Sequence, residues 1–232
     1  PVNTVFFPDT SRAASYEGHT RFGRLASRAS VASAADDDSM INSSLSVYFT
    51  DTLNIGGVST GAVLLDYSVH GFLDNGFDQE DVSIGFFHVY SELLQGLVTD
   101  VTFNTVKGVP FSPNPFDSFE LTNGRWEYKH TGTAFIPFEN GSVDIAVALR
   151  AIAGCRAPCS VQTDLGSTAL IGGYRILDAQ GNVTNAILTS ASGYDYITPP
   201  GDFPSSTAPE PMSVALTFSG VAAFVLKRRY VE

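Results

Sequence analysis

Leu45-Ser46-Val47-Tyr48-Phe49-Thr50-Asp51-Thr52-Leu53-Asn54-Ile55, followed by Gly56-Gly57, is the stretch of sequence that decides the fold. Its large apolar residues (Leu45, Val47, Phe49, Leu53 and Ile55) share one parity, and Ser46, Tyr48, Thr50, Thr52 and Asn54 share the other. Successive side chains of a strand point to opposite faces, so this alternation predicts a strand with one buried face. The two glycines predict a turn at its end.

The same alternation recurs along the chain, in residues 63–69, 82–90, 101–103, 126–130 and 143–149. Residues 170–177 and 186–190 predict a hairpin joined through Asp178-Ala179-Gln180-Gly181-Asn182. Residues 91–97 offer a short helical alternative. Many short strands without a long amphipathic helix predict an all-β, antiparallel β-sandwich of jelly-roll-like kind, and argue against a βαβ fold.

Composition divides the chain into four parts. Residues 1–38 form an N-terminal segment that is partly irregular and can supply the first strand, and residues 39–197 form the sandwich domain. Residues 198–211 contain five prolines and predict a linker. Residues 212–232 predict a short C-terminal hydrophobic helix with a basic end.

The charge balance is acidic, with 24 Asp and Glu against 13 Lys and Arg and a net charge of −11. Such a surface repels phosphate backbones, so a nucleic-acid partner is not expected. Divalent cations and neutral sugars are easier partners for it than polyanions.

The end of the chain has the pattern of a short membrane-spanning helix. Fifteen residues from Met212 to Leu226 carry no charge, and as a helix they would span about 22 Å of a hydrocarbon core of about 30 Å. Lys227, Arg228 and Arg229 follow this short span and predict that the C-terminus faces the cytoplasm, with the sandwich on the other side.

This tail resembles the PEP-CTERM sorting signal. The resemblance rests on Pro209-Glu210-Pro211, the apolar helix (Met212, Leu216, Gly220, Leu226) and the basic stop, in that order. It implies recognition by an exosortase-type membrane protease, a transient inner-membrane anchor, and delivery to the cell surface or extracellular matrix of a Gram-negative-type bacterium that makes extracellular polysaccharide. Export also leads us to expect an N-terminal signal peptide that has been removed. More loosely, residues 168–196 resemble the closing strands of other PEP-CTERM ectodomains.

The only cysteines are Cys155 and Cys159. In an oxidising compartment they predict a disulfide that closes a small loop and stabilises the fold by about 2 kcal/mol; two free thiols are the alternative. No other Cys or His stands within twenty residues, which argues against a metal site here.

Gly57-Val58-Ser59-Thr60-Gly61 matches the G-x-S-x-G pattern of a nucleophile elbow. That motif needs a helix after the serine, whereas a strand pattern follows here, so we predict a hairpin turn. No other catalytic constellation stands out, and we predict that the protein is not an enzyme.

An acidic loop is the most specific candidate for a cofactor site. Asp74, Asp78, Glu80 and Asp81 supply oxygen ligands of the type that Ca²⁺ prefers, although the spacing is not that of an EF-hand. A solvated acidic loop is the simpler interpretation. No cofactor other than calcium is predicted.

Trp126, Tyr128 and His130 alternate on one face of a predicted strand. They could form a platform for sugar rings, but a charged opposite face favours placing them in the core. His88 and His130 both lie on apolar faces and are predicted to be hydrogen-bonded core histidines.

Three functions follow. The first is an exported surface or matrix protein that acts by binding or structure. The second is a carbohydrate-binding module with an aromatic or calcium-bearing face. The third is a polysaccharide hydrolase, for which the sequence shows no supporting residues.

Overall fold

Strands account for all the regular secondary structure in the described part of the chain. A computed structural model describes residues 2–6, 12–34, 36, 38–74, 81–106, 109–112 and 118–197, which belong to a compact unit, Pro1–Gly201. No helix in these ranges is long and apolar enough to cross a membrane. The predicted linker (198–211) and the predicted sorting tail (212–232), with Pro209 to Arg229, lie outside the described residues.

Fourteen strands are described in chain order: β1 (Val2–Phe6), β2 (Arg12–Arg21), β3 (Arg24–Ser33), β4 (Met40–Gly56), β5 (Gly61–Asp74), β6 (Val82–Ser91), β7 (Gly96–Val106), β8 (Val109–Phe111), β9 (Ser118–Thr122), β10 (Arg125–Phe138), β11 (Ser142–Arg156), β12 (Cys159–Asp178), β13 (Val183–Thr184) and β14 (Ile187–Ser190).

The strands form two antiparallel sheets. The first has the order β1-β2-β3-β12-β5-β10-β9, with β13 paired to β12, and the second has the order β14-β4-β11-β6-β7-β8. The prediction of an all-β, antiparallel, sandwich-like fold is confirmed.

The core lies between the two sheets. On β4, Val47, Phe49, Leu53 and Ile55 are buried as predicted. Aromatic rings bridge the sheets: Tyr67 of β5 stacks on Phe87 of β6 with ring centroids 4.8 Å apart. Tyr128 of β10 stacks on Phe103 of β7 at 3.7 Å.

Residues 12–33, which we expected to be partly irregular, form the hairpin β2–β3. Strand β3 pairs with β12 and contributes Leu25, Ala29 and Val31 to the core. The hairpin also covers the free edge of β4 through side-chain hydroxyls. Ser27 donates to the Leu45 carbonyl at 2.9 Å, and Thr20 donates to the Tyr48 carbonyl at 3.1 Å.

Three predicted connections differ in the structure. The turn at residues 57–60 is followed by β5, so it is not a nucleophile elbow, and it is not a hairpin either because β4 and β5 belong to different sheets. The helical alternative at residues 91–97 is wrong, since a turn at 92–95 links β6 to β7 as a hairpin.

The predicted hairpin at residues 170–190 forms only in part. Val183 and Thr184 pair with Leu177 and Ile176 of β12. The chain then crosses over, and β14 pairs with β4 of the second sheet. The edge of β4 from Leu53 to Gly56 thereby gains a partner, which the local sequence pattern could not specify.

Cys155 and Cys159 form the predicted disulfide. Cys155 lies near the end of β11 and Cys159 begins β12, so the bridge closes the short connection that carries the chain from the second sheet to the first.

Gly85 of β6 provides a test of the core. A Cβ placed there would lie 2.2 Å from two carbons of the Phe103 ring, which is itself held by Tyr128. We expect Gly85→Ala to lower the free energy of unfolding by about 1–3 kcal/mol through overpacking. The measurement is chemical denaturation.

Gly96→Ala is the matched control, because a Cβ at Gly96 meets its nearest atom, the Leu94 carbonyl oxygen, at 3.6 Å. Equal stabilities of the two variants would contradict the described packing.

Candidate functional site

The outer face of the six-stranded sheet carries a row of aromatic side chains. On β6, Phe87 and Val89 are fully buried against the first sheet. Phe86, His88 and Tyr90 therefore point the other way, toward solvent. The prediction of His88 as a core histidine is wrong, because the opposite parity of β6 supplies the core.

The three rings form a ladder along β6. The Phe86 and His88 rings are nearly parallel with centroids 5.9 Å apart, and the His88 and Tyr90 centroids are 6.1 Å apart. Tyr90 is 41% exposed. Burial lowers the pKa of His88, with Asp100 opposing this shift and Arg150 adding to it. His88 is accordingly a neutral ring at pH 7.

Small residues of β11 separate this ladder from Tyr48 on β4. In the register of β11, Ala148 lies between His88 and Tyr48, and Ala146 lies between Tyr90 and Thr50. Tyr48 is 67% exposed. The result is a trough with an alanine floor between Tyr48 and the β6 rings. We call Tyr48, Phe86, His88, Tyr90, Ala146 and Ala148 the aromatic face.

The trough ends in a depression of about 630 Å³, which shares Tyr90 and Ala146 with the aromatic face and is also lined by Thr50. Its other walls include Phe22 and the polar residues Asp51, Thr52, Glu92, Gln95, Asp144 and Ser192. The Thr52 hydroxyl donates to the Asp144 carboxylate. An aromatic trough thus leads into a site rich in hydroxyl and carboxylate groups.

Asp51 holds the floor of this depression together. It lies on the inner, buried parity of β4 and is only 7% exposed. Its Oδ1 accepts the backbone N–H groups of Thr52 (2.9 Å) and Ser192 (3.1 Å). Its Oδ2 accepts the hydroxyls of Ser192 (2.6 Å) and Tyr196 (2.9 Å). Four donors therefore satisfy a buried carboxylate that would otherwise be costly.

These bonds fasten residues 191–197, which we call the clamp, across the end of the sandwich. The Ala191 N–H donates to the Thr52 carbonyl at 2.9 Å, and the Gly173 N–H donates to the Tyr196 carbonyl at 2.6 Å. Burial raises the pKa of Tyr196, and the neighbouring Asp51 raises it further. These contacts hold the clamp, which is the last described part of the chain, against the depression.

The alternative aromatic platform is not at the surface. Tyr128 and His130 are buried, and Trp126 is partly buried against the core. The Tyr67 hydroxyl and His130 Nε2 are hydrogen-bonded at 3.1 Å. The predicted core placement of Trp126, Tyr128 and His130 is confirmed.

Of the proposed calcium ligands, Asp78 and Glu80 lie outside the described residues. Asp74 accepts the Arg125 Nε–H at 2.8 Å and the Gln162 N–H at 2.7 Å, and burial raises its pKa against the opposing charge of Arg125. Asp81 is buried. Within the described ranges, no group of three or more His, Cys, Asp or Glu side chains could hold a metal.

The outer face of the first, eight-stranded sheet carries ion-paired side chains where the second sheet carries aromatic rings. His70 Nε2 and Lys129 Nζ lie 2.7 Å and 2.9 Å from Glu127 Oε1. Burial lowers the pKa of His70 despite Glu127. Burial alone would raise the pKa of Glu127, but its bonds with Lys129 and His70 bring it below its ordinary value. Glu127 therefore has both His70 and Lys129 as partners in this cluster.

Sequence reasoning missed Asp51 and the aromatic face. One signal for Asp51 was available, since it interrupts the apolar parity of β4 between Phe49 and Leu53. No such signal existed for β6, where both parities contain large apolar or aromatic residues.

Comparison with models of protein families, with curated proteins and with solved structures finds no match to this chain. The function of the site therefore has to follow from its own geometry and chemistry.

The clamp predicts a pH-dependent stability. The phenol of Tyr196 keeps its proton in the folded state, whereas in the unfolded chain it ionises near pH 10, about the ordinary tyrosine value. The unfolded state then binds fewer protons, so this contribution is present below about pH 10 and is lost as the pH rises above it.

We expect Tyr196→Phe to lower the free energy of unfolding at pH 7 by about 1.5–3 kcal/mol, because a hydrogen bond to a carboxylate is lost. Between pH 9 and pH 11 the free energy of unfolding should also fall less in the variant than in the parent. The difference should be about the amount that the ionisation of one tyrosine accounts for. Thermal unfolding across this range is the measurement. Tyr48→Phe, on the solvent side of β4, the strand that carries Asp51, is the control. An identical pH response in all three proteins would refute the clamp.

Proposed function

We propose that the sandwich is a non-catalytic binding domain for polysaccharide and that the glycan chain lies along the aromatic face. The observation that carries this proposal is the trough between Tyr48 and the ladder Phe86–His88–Tyr90, with Ala146 and Ala148 as its floor. Contiguous exposed apolar surface of this kind is typical of binding sites.

The chemistry of the trough suits sugar rings. A pyranose presents C–H groups on its faces and hydroxyls around its rim, so it needs flat apolar surface beside hydrogen-bonding groups. Tyrosine supplies both in one side chain. Thr50 and Ser46 lie on the same outer parity of β4 as Tyr48 and are exposed, and the depression adds Glu92 and Asp144. A few polar groups around an apolar surface are what orient a bound ligand.

Two of the three carboxylates that line the depression, Asp51 and Asp144, are hydrogen-bonded to neighbouring protein groups, which supports binding rather than hydrolysis. Asp51 directs both oxygens at the clamp and Thr52, and Asp144 accepts the Thr52 hydroxyl. A hydrolase would need one carboxyl group held ready to protonate the glycosidic oxygen and a second one opposite it.

Alanine substitutions in the trough test this proposal. We expect Tyr90→Ala and Tyr48→Ala each to weaken binding about tenfold, since aromatic side chains at the centre of an interface commonly contribute more than 1 kcal/mol. Binding is measured by affinity gel electrophoresis with soluble hydroxyethyl cellulose, galactomannan and dextran, and by calorimetry with the oligosaccharide of the best polymer.

Phe135→Ala is the matched control, because Phe135 is 54% exposed on the opposite sheet. Equal losses for Phe135→Ala and Tyr90→Ala, or no binding to any polymer, would overturn the proposal. Release of reducing ends from the polymer would favour the hydrolase. Repeating the assay in EDTA tests the calcium hypothesis, which predicts a loss that added Ca²⁺ restores.

We also propose that the protein is exported and sorted by its PEP-CTERM-like tail. The motif Pro209-Glu210-Pro211, the apolar stretch to Leu226 and the basic stop support this proposal. The disulfide between Cys155 and Cys159 supports an oxidising compartment.

The mass of the mature secreted protein tests the sorting proposal. We expect a secreted form that lacks the residues after about Pro211, measured by intact mass spectrometry of the culture medium and cell-surface fraction. Replacing Pro209-Glu210-Pro211 by three alanines should leave the protein uncleaved in the membrane. A soluble secreted form ending at Glu232 would contradict sorting.

A further inference from the structure

We infer that the glycan carries anionic substituents and that Arg21 and Arg24, on either side of the β2–β3 turn, bind one of them at the end of the trough. This inference rests on the proposed glycan-binding function and specifies its ligand as an acidic polysaccharide.

The evidence begins with the pairing of basic side chains. Several of them form ion pairs: Arg28 with Asp164, Arg125 with Asp74, Lys129 with Glu127, Arg156 with Asp38 and Arg175 with Asp66. By contrast, Arg21, Arg24 and Arg150 form no ion pair with any residue in the described ranges. The chain has 24 Asp and Glu against 13 Lys and Arg, so acidic residues are in excess as pairing partners.

All three unpaired arginines border the proposed binding surface. Arg150 lies on the outer face of β11, in register between Phe86 and Ser46. Arg21 and Arg24 both line two further depressions, of about 470 Å³ and 410 Å³. The larger of these shares Phe22 and Ser192 with the depression at the end of the trough. The concave surface therefore continues from the aromatic face to the β2–β3 turn.

The turn that presents the two arginines is firmly held. Gly23 has a φ of +72°, which favours glycine. A Cβ at this position would lie 2.0 Å from the Tyr194 hydroxyl oxygen, so the clamp packs directly on the turn. The Gly23 carbonyl accepts the Ile171 N–H at 3.0 Å, and the Phe22 ring packs edge-on against Phe49 with centroids 5.6 Å apart. Arg21 and Arg24 thus project from a fixed backbone.

Guanidinium groups match the planar oxygens of carboxylates and sulfates, with which they form paired, charge-assisted hydrogen bonds. The acidic body disfavours a densely charged polymer. Beyond about 10 Å, however, salt screens that repulsion, so charges spaced along a glycan would meet mainly the local arginines. A polysaccharide with uronic-acid or sulfate groups at intervals therefore fits both the site and the net charge.

The test compares one oligosaccharide with and without its charge. We expect a partly methyl-esterified hexagalacturonate, with free carboxylates at intervals, to bind the full sandwich at least tenfold more tightly than the full methyl ester in calorimetry at about 0.1 M NaCl, with the difference shrinking as more NaCl is added. Arg21→Gln and Arg24→Gln should each reduce the affinity for the partly esterified form about tenfold and leave binding of the full methyl ester unchanged. A chondroitin sulfate hexasaccharide in parallel shows whether sulfate or carboxylate is preferred.

Arg175→Gln is the control, since it removes the same charge from the outer side of β12, in the same sheet as β2 and β3, where Arg175 pairs with Asp66 instead of lining the depressions. Equal losses for Arg175→Gln and Arg21→Gln would mean general electrostatic attraction and overturn the inference. The inference also fails, while the proposed function stands, if the full ester binds as well as the partly esterified form and only Tyr48→Ala or Tyr90→Ala weakens it. If neither hexasaccharide nor any neutral polymer binds, both fail.

Discussion

The pleat of the strands, together with the burial of one face of each sheet, is the constraint on which the rest of this structure depends. Phe87, Val89, Val147 and Leu149 are buried between the sheets, and the alternate positions must then face outward. That single requirement places Phe86, His88 and Tyr90 in one row and puts Ala146 and Ala148 beside them. The proposed binding surface is therefore a direct consequence of how the core is packed.

A second constraint closes the end of the sandwich. Asp51 occupies a position that the pleat assigns to the core, and its carboxylate is tolerated there because Thr52, Ser192 and Tyr196 supply four donors. Those donors come largely from residues more than a hundred positions away in the chain. The same contacts that satisfy the charge also hold the clamp over the β2–β3 turn and shape the depression next to the trough.

The two proposed parts of the binding surface differ in their chemistry. The trough offers flat apolar rings and hydroxyl groups, whereas the turn offers arginines that no acidic residue in the described ranges neutralises. On the outer face of β5 and β10 the arrangement is different, since His70, Glu127 and Lys129 satisfy one another. Among the described residues, basic side chains without an ion pair occur along the proposed binding surface, which supports a ligand that brings its own negative charge.

The sequence by itself determined the fold class, the buried face of β4, the core placement of Trp126, Tyr128 and His130, and the proximity of Cys155 and Cys159. These features follow from side-chain periodicity and short spacing, which are local. Tertiary structure alone decided which face of β6 is buried, that β14 joins β4, that residues 12–33 belong to the sheet, and that Asp51 meets Tyr196. In β6 either parity could be buried, so packing against the other sheet selects one of them. The remaining features depend on contacts between segments that are distant in the sequence.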